Sequence, residues 1–207
     1  VVIEGYGLTE SSGVISCNPY EGTNKTGSIG QPIPGTQVRL VDKEDPHKDV
    51  PPGEPGELVA KGPQMMAGYW NKPDATRQVF VDGWLRTGDV ATIDDDGFIF
   101  IVDRLKDMIA VGGFKVFPSQ IEDILYTHPA VKEALVIGVP DSYAGERPKA
   151  FVTLNEGIAA NGEGLEKWLN PKLGKYERVL MVVVRENLPK TMIGKLDRKA
   201  LRAEVGA

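Results

Sequence analysis

The chain has 207 residues and a net charge of −5, with 41% hydrophobic and 26% charged residues; that is enough material for one large or two small globular domains. The acidic balance and the lack of any basic run give no electrostatic reason to expect a nucleic-acid partner. Cys17 is the only cysteine and His47 and His128 the only histidines, which excludes a disulfide scaffold and a multi-cysteine metal site and points to a reducing compartment, the cytoplasm. No apolar run is long enough to span a membrane, and no signal peptide opens the chain.

The chain begins on Val1-Val2-Ile3, an apolar β-branched run with no methionine and no turn before it. It reads as a strand cut from the middle of a sheet, hence as the start of a C-terminal fragment or of a processed chain. Gly5-Tyr6-Gly7-Leu8-Thr9-Glu10 then reads as a turn, in which flanking glycines free the Tyr6 ring to lie on a flat ligand. Thr9 and Glu10 offer hard oxygens suited to phosphate-bound magnesium. These six residues alone favour a plain surface turn with a buried tyrosine and a capping threonine.

Strands are predicted at 36–42, 57–61, 90–93 and 98–102, with a short helix at 74–80. Asp94-Asp95-Asp96-Gly97 is a tight-turn signal between the last two strands. Thr87-Gly88-Asp89 falls just before the third, where the carboxylate either ends a turn or binds the vicinal hydroxyls of a ribose. These elements describe a small antiparallel, β-barrel-like unit over residues 1–102. Asp103-Arg104-Leu105-Lys106 follows as a short charged boundary, a hinge at 103–106 where Arg104 can pair with a neighbouring aspartate or with a nucleotide.

Residues 107–207 read as a compact α+β lid. Two short strands flank Gly112-Gly113, and Ser119-Gln120-Ile121-Glu122 has the capping-box spacing that opens a helix to about residue 127. Strands are predicted at 131–139, 149–154 and 180–185. A helix around Leu165, Trp168 and Leu169 is ended by Pro171 and Gly174, and a last helix covers 197–205. Before it, Leu188-Pro189-Lys190-Thr191-Met192-Ile193-Gly194-Lys195 carries a Gly-Lys pair. It is not a phosphate-binding GxxxxGK[ST] loop, because Pro189 stands at the first glycine and Leu196 at the hydroxyl position.

Taken in order, GYGLTE, WLRTGD, IVDRLKDMIAVGGFKVFPSQIE and LPKTMIGK resemble four successive signatures of the adenylate-forming superfamily. That superfamily comprises acyl-CoA synthetases, luciferases and peptide-synthetase adenylation domains, and the resemblance extends along the whole chain. Bacterial medium- and long-chain fatty-acid–CoA ligases are the most similar branch. The resemblance implies an ATP-dependent acid–thiol ligase that forms acyl-AMP and pyrophosphate, then transfers the acyl group to coenzyme A as the lid rotates. It assigns Tyr6 and Gly7 to the adenine site, Thr9 to the α-phosphate, Glu10 to Mg2+, Asp89 to the ribose and Arg104 to a second nucleotide contact. It further assigns Asp103 and Lys106 to the hinge, Gly112 and Gly113 to the CoA passage, and Lys195 to the α-phosphate and the substrate carboxylate.

Ala110-Val111 stands where relatives often carry a lysine, so no thioester-forming base is assigned there. The family's Gly/Ser/Thr-rich phosphate loop and most of its acyl pocket precede GYGLTE and are absent from this sequence, so the fragment alone is expected not to adenylate. A ligase for an aryl or dicarboxylic acid and a non-catalytic binding domain are the alternatives. Small-molecule substrates are the expected partners, and the sequence is silent on oligomers and peripheral membrane contact.

Overall fold

The computed structural model describes residues 3–206 and divides into two compact units, one ending at Leu105 and the other beginning at Lys106. Val1 and Val2, which carry most of the expected opening strand, lie outside the described residues.

The first unit holds two antiparallel sheets. Strands β1 (Gly5–Leu8), β2 (Gly13–Cys17) and β3 (Gln31–Pro32) form the smaller, in the order β1-β2-β3. The GYGL stretch is therefore a strand and not the turn its glycines suggest. Gly7 is required by close approach: a Cβ there would stand 2.0 Å from the carbonyl oxygen of Gly13 on β2.

The larger sheet runs β4 (Gln37–Val41), β5 (Gly56–Lys61), β7 (Trp84–Ile93) and β6 (Phe80–Val81), with β8 (Ile99–Arg104) also paired to β7. Helix α1 (Pro73–Val79) leads directly into β6. The sheet stays open, so the barrel-like closure expected from the sequence does not form among the described residues. Reciprocal bonds from Ile29 N to Ile99 O (2.8 Å) and from Ile99 N to Gly30 O (3.0 Å) join the segment before β3 to β8. Ile29, Leu58, Ala91 and Ile99 form the core, with Tyr6 packed against them. The aspartate-rich turn forms as expected: Asp94 N donates to Phe98 O at 3.0 Å and Gly97 N to Asp94 O at 2.9 Å.

The second unit is one sheet with helices on both faces. Strands β9 (Ile109–Val111), β10 (Phe114–Val116), β11 (Val131–Asp141) and β12 (Gly145–Leu154) lie in the order β10-β9-β12-β11, and β13 (Val182–Val184) pairs parallel to β12. Alternation along β11 explains the layering. Ala134 and Val136 face a core containing Ile121 and Leu125 of α2 (Pro118–Tyr126) and Leu165 and Leu169 of α3 (Gly162–Leu169). Leu135 and Ile137 face the other way, onto Phe151, Leu188 and Leu201 of α4 (Arg198–Val205). Helix α4 has eight residues, too few to persist alone; burying Leu201 completely contributes about 1.5–3 kcal/mol to holding it.

Two local expectations shift. Ser119 is not the N-cap of α2, because Pro118 takes the first helical position and leaves Phe117, extended at φ −102°, as the cap residue. Strand β13 is shorter than the predicted 180–185.

Candidate adenylate-binding site

Asp89 is placed by a bulge. Between β5 and β7, Glu57 pairs with Val90 but Val59 pairs with Arg86, so two steps on one strand face four on the other. Gly88 absorbs the excess at φ +73°, a conformation costly for any residue with a Cβ. Five hydrogen bonds hold the loop of surplus chain. Thr87 Oγ1 donates to Leu58 O (2.7 Å) and accepts from Asp89 N (3.1 Å). Glu57, only 2% exposed, accepts from Arg86 Nε (2.9 Å) and Nη2 (2.6 Å) through one carboxylate oxygen. Its other oxygen accepts from Gly88 N at 3.3 Å.

Around Asp89 the structure gathers two others of the residues singled out in the sequence. Tyr6, on β1, donates its phenol to Asp89 Oδ2 at 2.6 Å. Arg104, the register partner of Asp89 on β8, brings Nε to 3.5 Å from Oδ1. Burial of the phenol, reinforced by its carboxylate acceptor, raises the Tyr6 pKa well above the ordinary tyrosine value, so Tyr6 remains a hydrogen-bond donor across the physiological range. Asp89 is 7% exposed, whereas the Arg104 side chain is 60% exposed. Because the Arg104 end is exposed, the pair adds little to stability. A carboxylate has about four lone-pair positions, so Asp89 can hold both partners and still accept hydroxyl donors.

Thr9 and Glu10 follow directly at the end of β1, in a short 3₁₀ turn over Thr9–Ser11. Buried Ser11 ties this turn down: Leu8 N donates to its Oγ at 2.9 Å, and the hydroxyl lies within 2.6 Å of Gly13 O. Glu10 is held twice by one loop, its carbonyl oxygen by Met66 N (2.8 Å) and its Oε1 by the Tyr69 phenol (2.6 Å). The latter bond raises the Tyr69 pKa. Among the described residues no cluster of three or more His, Cys, Asp or Glu side chains could form a protein-only metal cage. A magnesium site here would take one carboxylate from the protein and the rest from phosphate and water, which is how that ion is commonly bound.

Of the remaining candidates, Asp103 lies at the end of the first unit and the others in the second. Asp103 is buried at the end of β8, its Oδ1 accepting from Arg104 N at 2.6 Å, and Lys106 is exposed in a 3₁₀ turn over Leu105–Asp107. Gly112 and Gly113 are the two central residues of the β9–β10 hairpin, at φ +57° and +85°, the pattern of a type I′ turn that glycine accepts without strain. Lys195 is exposed on a tight hairpin closed by Thr191 N to Lys195 O at 2.7 Å, with Gly194 at φ +81°. Met192 and Ile193 form its exposed tip.

Sequence reasoning missed Glu57 and Arg86, although a Glu inside an apolar strand and an Arg in its neighbour are a visible signal for a buried pair. It also missed Tyr69, for which the sequence offers none.

A family model described as AMP-binding enzyme matches residues 1–70, and one described as AMP-binding enzyme C-terminal domain matches residues 120–195. The chain belongs to the AMP-binding enzyme family. It is 47% identical over 203 residues to a long-chain-fatty-acid–CoA ligase of Escherichia coli O6:H1, an alignment spanning 98% of this chain and 36% of that protein. It is 42% identical over 205 residues to a feruloyl-CoA synthase of an Amycolatopsis species, spanning 99% and 41%. Among solved structures, ATP-bound MatB from Rhodopseudomonas palustris superposes with a TM-score of 0.92 at 35% identity, over 98% of this chain and 40% of that one. The chain thus spans little more than a third of the fatty-acid–CoA ligase it matches. Of the candidate site residues, Tyr6, Gly7, Thr9 and Glu10 fall in the first matched stretch and Lys195 ends the second.

Proposed function

We propose that this chain is the C-terminal part of an ATP-dependent fatty-acid–CoA ligase, in which its first unit binds the adenylate and its second acts as a mobile lid. The convergence of Tyr6 and Arg104 on the buried Asp89 carries the reading, because it builds a hydroxyl-accepting carboxylate flanked by an aromatic ring and an exposed cation. Asp89 takes the ribose hydroxyls, Arg104 adds a second nucleotide contact, and Tyr6 with Gly7 flanks the adenine. Thr9 contacts the α-phosphate. Magnesium, when bound, neutralises phosphate charge, and Glu10, oriented by Tyr69, is the residue that holds it.

In the first half-reaction a carboxylate oxygen of the acid attacks the α-phosphorus of ATP, and the bond to pyrophosphate breaks. No general base is needed, because the acid is already ionised at neutral pH. Lys195 supplies a fixed positive charge between the two anions as negative charge develops on the phosphoryl oxygens. In the second half-reaction the sulfur of coenzyme A attacks the acyl carbon, the bond to AMP breaks and the thiol proton passes to solvent. Rotation about Asp103 to Lys106 exchanges Lys195 for the Gly112-Gly113 hairpin, whose small residues leave room for the pantetheine. The enzyme works in the cytoplasm, and this chain by itself does not adenylate.

A second reading, a ligase for an aryl acid, draws on the similarity to a feruloyl-CoA synthase. Assaying the complete enzyme against a panel of fatty and aryl acids separates the two. Lys195→Ala in the complete enzyme is expected to cut acyl-adenylate formation about 100-fold or more while sparing thioester formation from supplied acyl-adenylate. An equal loss in both half-reactions would refute the role given to Lys195.

A further inference from the structure

Lys195 sits on a hairpin whose tip is bare to solvent, so its position is set from the base. That base has little slack. Leu188 is buried on one arm, Asp197 N donates to Pro189 O at 2.8 Å across the arms, and Asp197 Oδ1 caps α4 through Ala200 N at 3.0 Å. The next residue is Arg198, three positions beyond Lys195.

Arg198 is the centre of a buried ionic cluster. Its Nη2 bonds both oxygens of Glu122 on α2, at 2.6 and 2.8 Å, and its Nη1 reaches Asp107 Oδ2 at 3.2 Å. Its Nε donates to Val136 O on β11 at 3.1 Å. Glu122 in turn accepts from Val136 N at 2.7 Å, and Arg202 brings Nη1 to 3.2 Å from Asp107 Oδ1. Side-chain exposure is 16% for Arg198, 12% for Glu122 and 9% for Asp107. Two carboxylates thus face two guanidiniums, and only a planar fork can serve Glu122, Asp107 and Val136 together. Asp107 directly follows Lys106. The cluster therefore ties the Lys195 hairpin to the first residue beyond the proposed hinge, 91 positions away from Arg198 in sequence.

We propose that Arg198 is a positioning residue for Lys195, fixing the Lys195 hairpin to the turn at Asp107 so that lysine and hinge move as one body. The proposal rests on the reading of Lys195 as the adenylation cation. Arg198 itself touches no substrate, and its effect on rate passes entirely through the placement of Lys195.

The test is Arg198→Lys in the complete enzyme, which keeps the charge and loses the fork, while Arg202 still holds Asp107. Acyl-adenylate formation is expected to slow about 10- to 100-fold in kcat, the size of effect that a displacement of about 1 Å produces, with KM for ATP and acid unchanged. Thioester formation from supplied acyl-adenylate should keep its rate. In a Lys195→Ala background the same substitution should cost nothing further, because the residue it positions is gone. Parallel loss of both half-reactions, or a further loss in the Lys195→Ala background, overturns the proposal. If Arg198→Lys lowers thermal stability too far to assay, Glu122→Gln is read in the same cycle. Lys195→Ala at full adenylation rate brings down the reading of Lys195 itself; Lys195→Ala inactive beside a fully active Arg198→Lys overturns this proposal alone.

Discussion

Tyr6→Phe separates the phenol's bond to Asp89 from everything else the ring does. Phenylalanine keeps the packing against Ile29, Leu58, Ala91 and Ile99, while the donor 2.6 Å from Asp89 Oδ2 is removed. A hydrogen bond to a charged acceptor contributes roughly 1.5–3 kcal/mol. Because the Tyr6 phenol is only partly buried and Asp89 keeps Arg104, the lower end applies, about 1.5 kcal/mol. For a unit of this size that is a fall in Tm of roughly 6–12 °C. The pH dependence is the sharper measurement. The native phenol holds its proton more tightly than the unfolded one, so its contribution is fully present below the ordinary tyrosine value of about 10 and is lost as pH rises through the higher folded value. Urea unfolding of the first unit, followed by circular dichroism from pH 6 to 11, should give a wild-type advantage that is flat to about pH 9 and shrinks above it. A difference below about 0.3 kcal/mol, or one that stays constant to pH 11, would show that the bond does not stabilise the fold as argued.

Glu57→Ala should destabilise the first unit by about 3 kcal/mol, since it strands Arg86 and the Gly88 N–H at a site where Glu57 is 2% exposed. The urea midpoint measures the cost, and amide exchange at Gly88 and Asp89 should accelerate more than at β4. The hydrogen bond from Lys25, followed by backbone bonds from Phe98 and Asp96, depresses the Asp94 pKa. The stability it contributes to the turn is present above the ordinary aspartate value of about 3.9 and lost as pH falls through the lower folded value. Lys25→Ala should move the Asp94 titration, followed by carboxyl carbon NMR, upward toward that ordinary value; no movement would mean that the backbone bonds alone set it.

The second unit was the more legible from sequence, for a physical reason. Its sheet is covered on both faces, so β11 and β12 appear as nearly continuous apolar runs bounded by turn residues, and the amphipathic periods of α2 and α3 stand out beside them. The helix at Ser119 to Glu122 was found for a partly mistaken reason. Ser119 is not the cap residue, and Glu122 reaches across to Val136 N and Arg198. A motif four residues long cannot distinguish a carboxylate that caps its own helix from one that anchors a helix 76 positions away. In the first unit, GYGL looked like a turn because glycine signals both left-handed backbone and close approach. Only the pairing of β1 with β2 decides between them, and that pairing is tertiary.

The same limit governs the site. Asp89 and Arg104 were visible one at a time as a carboxylate beside a glycine and an arginine at a boundary, each with an ordinary structural explanation. What makes them a site is a register: β7 and β8 set Asp89 opposite Arg104, and the Gly88 bulge re-aims the chain so that the carboxylate meets the Tyr6 phenol. The supports of that bulge, Glu57 and Arg86, are 29 positions apart; each is conspicuous in its own strand, but only the strand pairing shows that they meet. Lys195 presents the converse case. Its Gly-Lys pair is conspicuous, yet the hairpin tip that carries it is bare to solvent, and its base is held by buried Leu188 and by the cluster of Arg198, Asp107 and Glu122. A chemically conspicuous residue can therefore be read from a few neighbours in sequence, while the residues that fix its position to a fraction of an ångström cannot. In this chain the pairs Glu57–Arg86 and Glu122–Arg198 are where that positional information resides.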